Sequence, residues 1–369
     1  HNCYPLAPER LKVPIGMMSP YCQALHDALR IYGAETEKLI PNLYDKERYI
    51  VHYRNLHLYL QLGMEIKKIH RGVSFDQEPW LKPYIDFNTA KRRQATNSFE
   101  KDLHKLLNNC IFGKSCENVR HHRDIRLVTD GDKFLKLTRK REYVRSEVFY
   151  DNLVAVELQK QEVILNKPIY IGFSVLDLSK LLMYDFHYNK MQRMRETFKI
   201  RLLFTDTDSL CYQLIGKNLY GALEQYTELY DFSDYPMDHP LYSDLNKKVI
   251  GKMKDETASK PICEFVGLCA KMYSLDCVDH EKKRAKGVSR LVIRKKLQHR
   301  IFLDTLFKQT KRRDVMTRIS SDKHLLNTVV YSKISLSAFD SKRYLHGDGI
   351  SSFAYGHQCI PCLLYTSPS

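Results

Sequence analysis

The chain has 369 residues, of which 43% are hydrophobic and 28% charged, with 24 Tyr, 16 Phe and one Trp. That composition builds packed cores and excludes a disordered tail, a collagen-like chain or a small disulfide scaffold. Lys and Arg number 59 against 43 Asp and Glu, a net charge of +16. Such a surplus points to polyanions or acidic membrane surfaces as partners and leaves the fold open.

Ten Cys are scattered along the chain, and no signal peptide is expected before them. They read as reduced, partly buried thiols of a protein that is not secreted. No apolar run approaches the ~18 residues of a membrane span. The chain opens on HNCYPLAPE, with no initiator Met, and reads as a piece of something longer.

In chain order, residues 1–45 look irregular and Pro-rich around a helix-like run, YCQALHDALRIYG. Residues 47–75 read as one helix or more ending near Gly72, with Leu56, Tyr59, Leu60, Leu62 and Ile66 at mixed three- and four-residue spacings. Asn88 or Thr89 is placed to cap a helix running to Asn118, one face of which holds Phe99, Leu103, Leu106, Leu107 and Cys110. The stretch 124–138 reads as a hairpin with a Gly turn, and 153–172 as two more strands. Helical periodicity returns over 174–191, and 201–214 reads as a hairpin turning around Asp206–Asp208.

Residues 220–245 are acidic and Tyr-rich, and 261–280 read as strands. From Lys282 to Arg318 there are 14 Lys/Arg against two Asp, a density suited to a nucleic-acid backbone. The end of the chain holds a single CxxC, Cys359 and Cys362, near His357. With no second pair to complete four zinc ligands, these read as incidental cysteines. His121 and His122 read as a solvated part of a basic stretch rather than as ligands.

Two local patterns suggest chemistry. In LLFTDTDSLCYQL, apolar residues lead into and away from Asp206 and Asp208. On a strand with a side-chain period of two, both carboxylates point the same way. They would repel each other and pay for desolvation, which a divalent cation relieves, and hard carboxylates suit Mg²⁺. A solvent-facing turn is the plain alternative, and a DxD triplet also serves metal and nucleotide in glycosyltransferases. The second pattern is Arg93, Asn97, Lys101 and Lys105 at four-residue spacing, which share one side of a continuous helix. An anion such as a triphosphate would relieve their repulsion, with Arg92 assisting. Asn109, Phe112 and Gly113 lie at the far end, Phe112 offering a flat surface and Gly113 close backbone approach. A solvated basic face is the plain alternative. No P-loop and no protein-kinase motif set is present.

KLLNNCIFG and FTDTDS, together with Lys271 and Tyr273 in LCAKMYSL, resemble in order three motifs of the protein-primed family B DNA polymerases. The resemblance is strongest to the organellar and viral type found in self-synthesising Maverick/Polinton-like DNA transposons and adintovirus-like elements, and it covers residues 1–357. It implies an α+β, right-hand DNA polymerase fold of palm, fingers and thumb, lacking the N-terminal exonuclease domain and the first palm motif. It divides the chain into part of the palm with an insert (1–84), fingers (85–118), a basic insert (119–165), palm with the DTDS motif (166–280) and thumb (281–357). An irregular tail (358–369), native or foreign to the natural protein, follows.

By the same resemblance, Asp208 ligates two Mg²⁺ ions, with Mn²⁺ as a substitute, and Asp206 assists beside the primer end. Arg93, Lys101, Lys105, Asn109, Phe112 and Gly113 receive the incoming nucleotide. Lys271, Tyr273, Lys282, Lys283, Arg284 and Lys286 contact DNA. The implied reaction is attack of a primer 3′-hydroxyl on a dNTP, on a DNA primer-template, with a terminal protein as the first primer. The implied location is the nucleus or a viral replication site, with no membrane partner. Cys110, Phe112 and Phe204 replace the family's Ser, Tyr and Tyr; sugar discrimination is expected to survive with modestly weaker nucleotide affinity. The first palm motif, which supplies the other bridging carboxylate, is not found, so these residues alone are expected to be inactive. A decayed nucleic-acid-binding module, a DxD glycosyltransferase and a non-catalytic basic α+β domain are the alternatives.

Overall fold

The computed structural model describes residues 9–13, 36–40, 45–322, 325–340, 343–345, 352–354, 357 and 359–360. The chain forms a mixed α+β fold in two units, residues 1–71, 180–316 and 331–369 in the first and 72–179 and 317–330 in the second.

In the first unit β1 (Glu9–Val13) and β2 (Thr36–Ile40) pair antiparallel, within a stretch expected to be irregular. The helix-like run at 21–33 lies outside the described residues. The helix expected over 47–75 is confined to α1 (Tyr53–Gln61). Its start is capped by His52, whose Nδ1 accepts from the Arg54 N–H at 3.3 Å. It ends in a Schellman turn: Gly63, at φ +94°, donates to Leu60, and Met64 donates to Tyr59. Residues 64–79 then carry no regular structure. Leu58 and Tyr59 are buried against Tyr184.

The second unit opens with α2 (Lys82–Gln94) and α3 (Ser98–Ser115), two helices where one was expected from Thr89 to Asn118. The break is local chemistry. Asn97 leaves helical geometry and its side chain accepts from the Glu100 N–H at 2.8 Å, which starts a new helix. The pair is held by polar contacts: Tyr84 donates to the Leu107 carbonyl at 3.2 Å, and His104 meets buried Asn88 at 3.1 Å. β3 (Asp124–Val128) follows. The second arm of the hairpin expected at 124–138 is instead α4 (Gly131–Thr138), capped by Asp130. Its Phe134 and Leu137 fall at helical spacing and cover Val128, Val156 and Leu158. β4 (Tyr143–Tyr150) and β5 (Leu153–Leu158) complete an antiparallel sheet ordered β3-β5-β4. Of the two strands expected in 153–172 only β5 forms, and α5 (Ile169–Asp185) begins within that stretch. A Cβ on Gly172 would stand 2.2 Å from Cys116 Sγ and 2.6 Å from Ser115 Oγ. The close approach of α5 to the end of α3 therefore depends on that glycine.

Helix α5 continues as a π turn (Phe186–Lys190) and a 3₁₀ turn (Met191–Glu196). In the first unit these turns pack Phe186, Met191 and Met194 with Phe198 and Ile200 beneath the hairpin of β6 (Lys199–Thr205) and β7 (Leu210–Ile215). Buried His187 meets the Tyr212 hydroxyl at 2.9 Å, and burial, with Arg195 nearby, pushes its pKa down to about 4. α6 (Leu219–Glu224) and the parallel pair β8 (Tyr230–Asp231) and β9 (Met253–Lys254) hold the acidic, Tyr-rich stretch. Its Asp231 serves the fold, accepting from the N–H groups of Ser233 and Lys248, both at 3.0 Å, and beyond the stretch Asp255 accepts from Tyr235 at 3.0 Å.

β10 (Ile262–Cys269), β11 (Met272–Cys277) and β12 (Glu281–Ala285) form an antiparallel sheet. α7 (Arg290–Lys296) and α8 (His299–Phe307) follow, then the hairpin of β13 (Lys311–Asp322) and β14 (Leu325–Ser337). Val266, Ala285, Val292, Leu297, Phe302, Met316 and Leu336 form the largest buried cluster described. β15 (Arg343–Leu345) and β16 (Ser352–Ala354) pair antiparallel near the end.

Candidate functional site

The β6–β7 hairpin turns at Asp206–Ser209, as its sequence suggests. Asp206 and Ser209 exchange backbone hydrogen bonds at 3.0 and 3.2 Å, and Thr207 takes φ +59°. The strands stop at Thr205 and resume at Leu210, so both carboxylates sit in the turn and not on strand backbone. Strand alternation therefore does not align the two carboxylates. Asp208 is exposed and Asp206 partly so, which also removes the desolvation penalty expected for the pair.

Lys271 and Tyr273, 65 and 67 residues beyond Asp206, come to this turn. Lys271 Nζ lies 3.2 Å from Asp206 Oδ1. The Tyr273 ring stacks on Phe204 with centroids 4.4 Å apart, and Phe265 stacks on Phe204 from 5.6 Å. Lys271 itself is in left-handed geometry, φ +60°, at the β10–β11 turn, and its carbonyl accepts from the Lys286 N–H at 3.0 Å. Arg284 pairs in register with Tyr273 on the neighbouring strand, and both Arg284 and Lys286 are exposed. Lys282 and Lys283 are engaged within the protein, with Glu256 and Glu281 respectively. Phe265 was not singled out by sequence; its signal was its place, alternating with Glu264 and Val266, on a bulged strand opposite the Lys271 motif.

On α3, in the second unit, Lys101, Lys105, Asn109 and Phe112 fall within about 80° of one another at ~100° per residue, and all are exposed. Arg93 is not on that helix: it lies in the last turn of α2, and Asn97 is spent on capping. The four-residue ladder is thus reduced to the two lysines. A Cβ on Gly113 would meet no protein atom within 4 Å, so the fold does not require glycine there.

The same helix is tied down at its C-terminal end by Glu117, which meets Lys114 at 2.8 Å, Lys167 at 2.9 Å and His122 at 3.0 Å. Its hydrogen bonds with Lys114, then Lys167 and His122, bring its pKa down to about 2. A carboxylate depressed in the folded state stabilises it fully above the ordinary value near 4.5 and loses that contribution as pH falls towards 2. Urea unfolding between pH 5 and about pH 2 should therefore show a loss of stability that Glu117→Gln makes shallower; an unchanged slope would contradict the role. His121 and His122 are exposed, and His122 is engaged with Glu117.

Asp206 and Asp208 are hard oxygen ligands of the kind Mg²⁺ takes. Among the described residues, however, no group of three or more His, Cys, Asp or Glu is placed to hold a metal, and Asp206 is already paired with Lys271. These residues do not fit a two-ion centre on their own. Near the end of the chain His357 is buried and stacked on Phe353, Cys359 is exposed, and Cys362 lies outside the described residues. Among the described residues no helix is long and apolar enough to cross a membrane. No protein family, curated protein or solved structure matches this chain.

Proposed function

We propose that this chain is the palm, fingers and thumb portion of a protein-primed DNA polymerase acting on a DNA primer-template with dNTPs, a terminal protein supplying the first hydroxyl. One observation supports this above the rest. The two motifs that the resemblance assigns to the primer end, FTDTDS and Lys-x-Tyr, meet through the 3.2 Å Lys271–Asp206 pair and the Phe204–Tyr273 stack.

The roles of this chain's own residues follow from charge and position. Lys271, Arg284 and Lys286 present cations around the turn for the backbone of a bound strand. Tyr273, seated on Phe204, fixes where that strand lies against Asp206. Lys101 and Lys105 offer a triphosphate two cations on one exposed face, with Phe112 as a flat neighbour. Mg²⁺ belongs to the proposal through the resemblance. A second reading, a module that grips DNA without catalysis, is favoured by the neutralisation of Asp206 by Lys271.

A glycosyltransferase would use the same triplet for a sugar nucleotide, and binding separates the two. The chain should bind a primer-template duplex and not uridine diphosphate glucose. Lys271→Ala should weaken DNA binding about fivefold and lower the salt slope by about one, since one phosphate contact is lost and Asp206 is left unbalanced. Fluorescence anisotropy across a salt series measures both. Sugar-nucleotide binding without DNA binding, or DNA affinity indifferent to Lys271→Ala, would overturn the proposal.

A further inference from the structure

His299 is buried at 5% exposure at the start of α8. It touches two neighbouring strands of the β10-β11-β12 sheet. Its Nδ1 lies 2.8 Å from the Ser274 hydroxyl on β11, and its Nε2 lies 3.2 Å from the Glu264 carboxylate on β10. Chemistry sets the direction of these bonds for a neutral ring. A carboxylate only accepts, so Nε2–H donates to Glu264 and Nδ1 accepts from Ser274. Ser274 is fully buried, so no substrate reaches its hydroxyl and the trio is not a hydrolytic site.

The sheet has two faces with different duties. Val266 and Ser274 are register partners, and Glu264 shares their face by alternation; Val266 packs in the cluster containing Phe302 of α8. Phe265 and Tyr273 point the other way and stack on Phe204 beside Asp206. The residues held by His299 are therefore the chain neighbours of the residues that grip the hairpin turn. The β10–β11 register shifts between Ile262 and Glu264 and again between Gly267 and Cys269, on either side of this contact. A ladder interrupted twice fixes its register weakly by backbone bonds alone.

We propose that His299 is a positioning residue: it clasps β10 and β11 from the α8 side and thereby holds the Lys271–Tyr273 turn against Asp206. What the clasp is for rests on the DNA reading above; its mechanical role does not.

The test compares His299→Leu, Ser274→Ala and His299→Gln by amide hydrogen exchange without DNA, and by primer-template affinity. His299→Leu keeps bulk but removes both ring bonds. Ser274→Ala removes one tether and leaves the ring in place. Gln can accept from Ser274 and donate to Glu264, so it should restore the clasp. Exchange at residues 269–273 should rise about tenfold in His299→Leu and less in Ser274→Ala, and should return near the parent's in His299→Gln, with α8 amides unchanged throughout. DNA affinity should follow the same order. Unchanged exchange at 269–273 in both disruptive variants would overturn the proposal, as would an equal rise in α8, which would mean general loosening. If exchange responds as expected but DNA affinity does not, the clasp stands and the DNA reading of the Lys271 turn falls.

Discussion

Raising monovalent salt from about 50 to about 200 mM should weaken binding of this chain to a primer-template duplex about a thousandfold. Charge sets the size of this effect. Residues 282–318 hold 14 Lys/Arg against two Asp. Lys282, Lys283, Lys308 and Arg312 spend theirs on Glu256, Glu281, Asp304 and Asp314. If about six of the others each neutralise one phosphate, the log–log slope is about −5, and a fourfold rise in salt costs about three decades. Contacts of this kind read backbone and not base edges, so a duplex of scrambled sequence should bind within about twofold. Anisotropy titrations at four salt concentrations on two duplexes measure both. A slope shallower than about −2 would mean that the basic tract is a solvated surface and not a grip on nucleic acid.

Phe302→Ala should destabilise the first unit by about 3–5 kcal/mol, the cost of emptying a core position occupied by a large aromatic ring. Phe302 is fully buried, and the cluster around it draws on β10 (Val266), β12 (Ala285), α7 (Val292), β13 (Met316) and β14 (Leu336). Few of these can close over the void without dragging a strand. Urea unfolding followed by circular dichroism should show a lower midpoint with a similar slope. A loss below about 1 kcal/mol would mean that the cluster is not what holds α8 to the sheet.

How much was legible in the sequence depended on whether a signal was local. The β6–β7 hairpin was readable because apolar strands flank a turn built of Asp, Thr and Ser, and the strands on either side of Lys271 were readable within 261–280. The meeting of the two was not, because nothing local in LCAKMYSL says that Tyr273 will stack on Phe204. The resemblance suggested their common task, and the structure supplies the contact. The α2–α3 break was missed because Thr89–Asn118 keeps helical composition throughout. One asparagine, capping Glu100, outweighs that pattern. Residues 134–138 read as the second arm of a hairpin after a Gly turn, but Phe134 and Leu137 pack at helical spacing on Val128. The missed end of α1 was signalled by Gly63, whose positive φ a longer helix could not hold. His299 gave no signal at all, since a buried histidine that ties two strands is indistinguishable in sequence from any helix-start residue.

The most direct measurement is primer extension with Mg²⁺ and dNTPs by three proteins: this chain, the chain joined to the acidic palm motif that the resemblance places upstream, and the joined protein carrying Asp208→Asn. The joined protein should extend the primer. Asp208→Asn should lower its rate about a thousandfold or more, equivalent to about 4 kcal/mol of lost transition-state stabilisation. The chain alone should bind the duplex and leave it unextended. Extension by the Asp208→Asn protein as fast as by its parent would contradict a catalytic Asp208. A joined protein that binds DNA but never extends it would contradict the polymerase reading and leave a chain that only grips DNA.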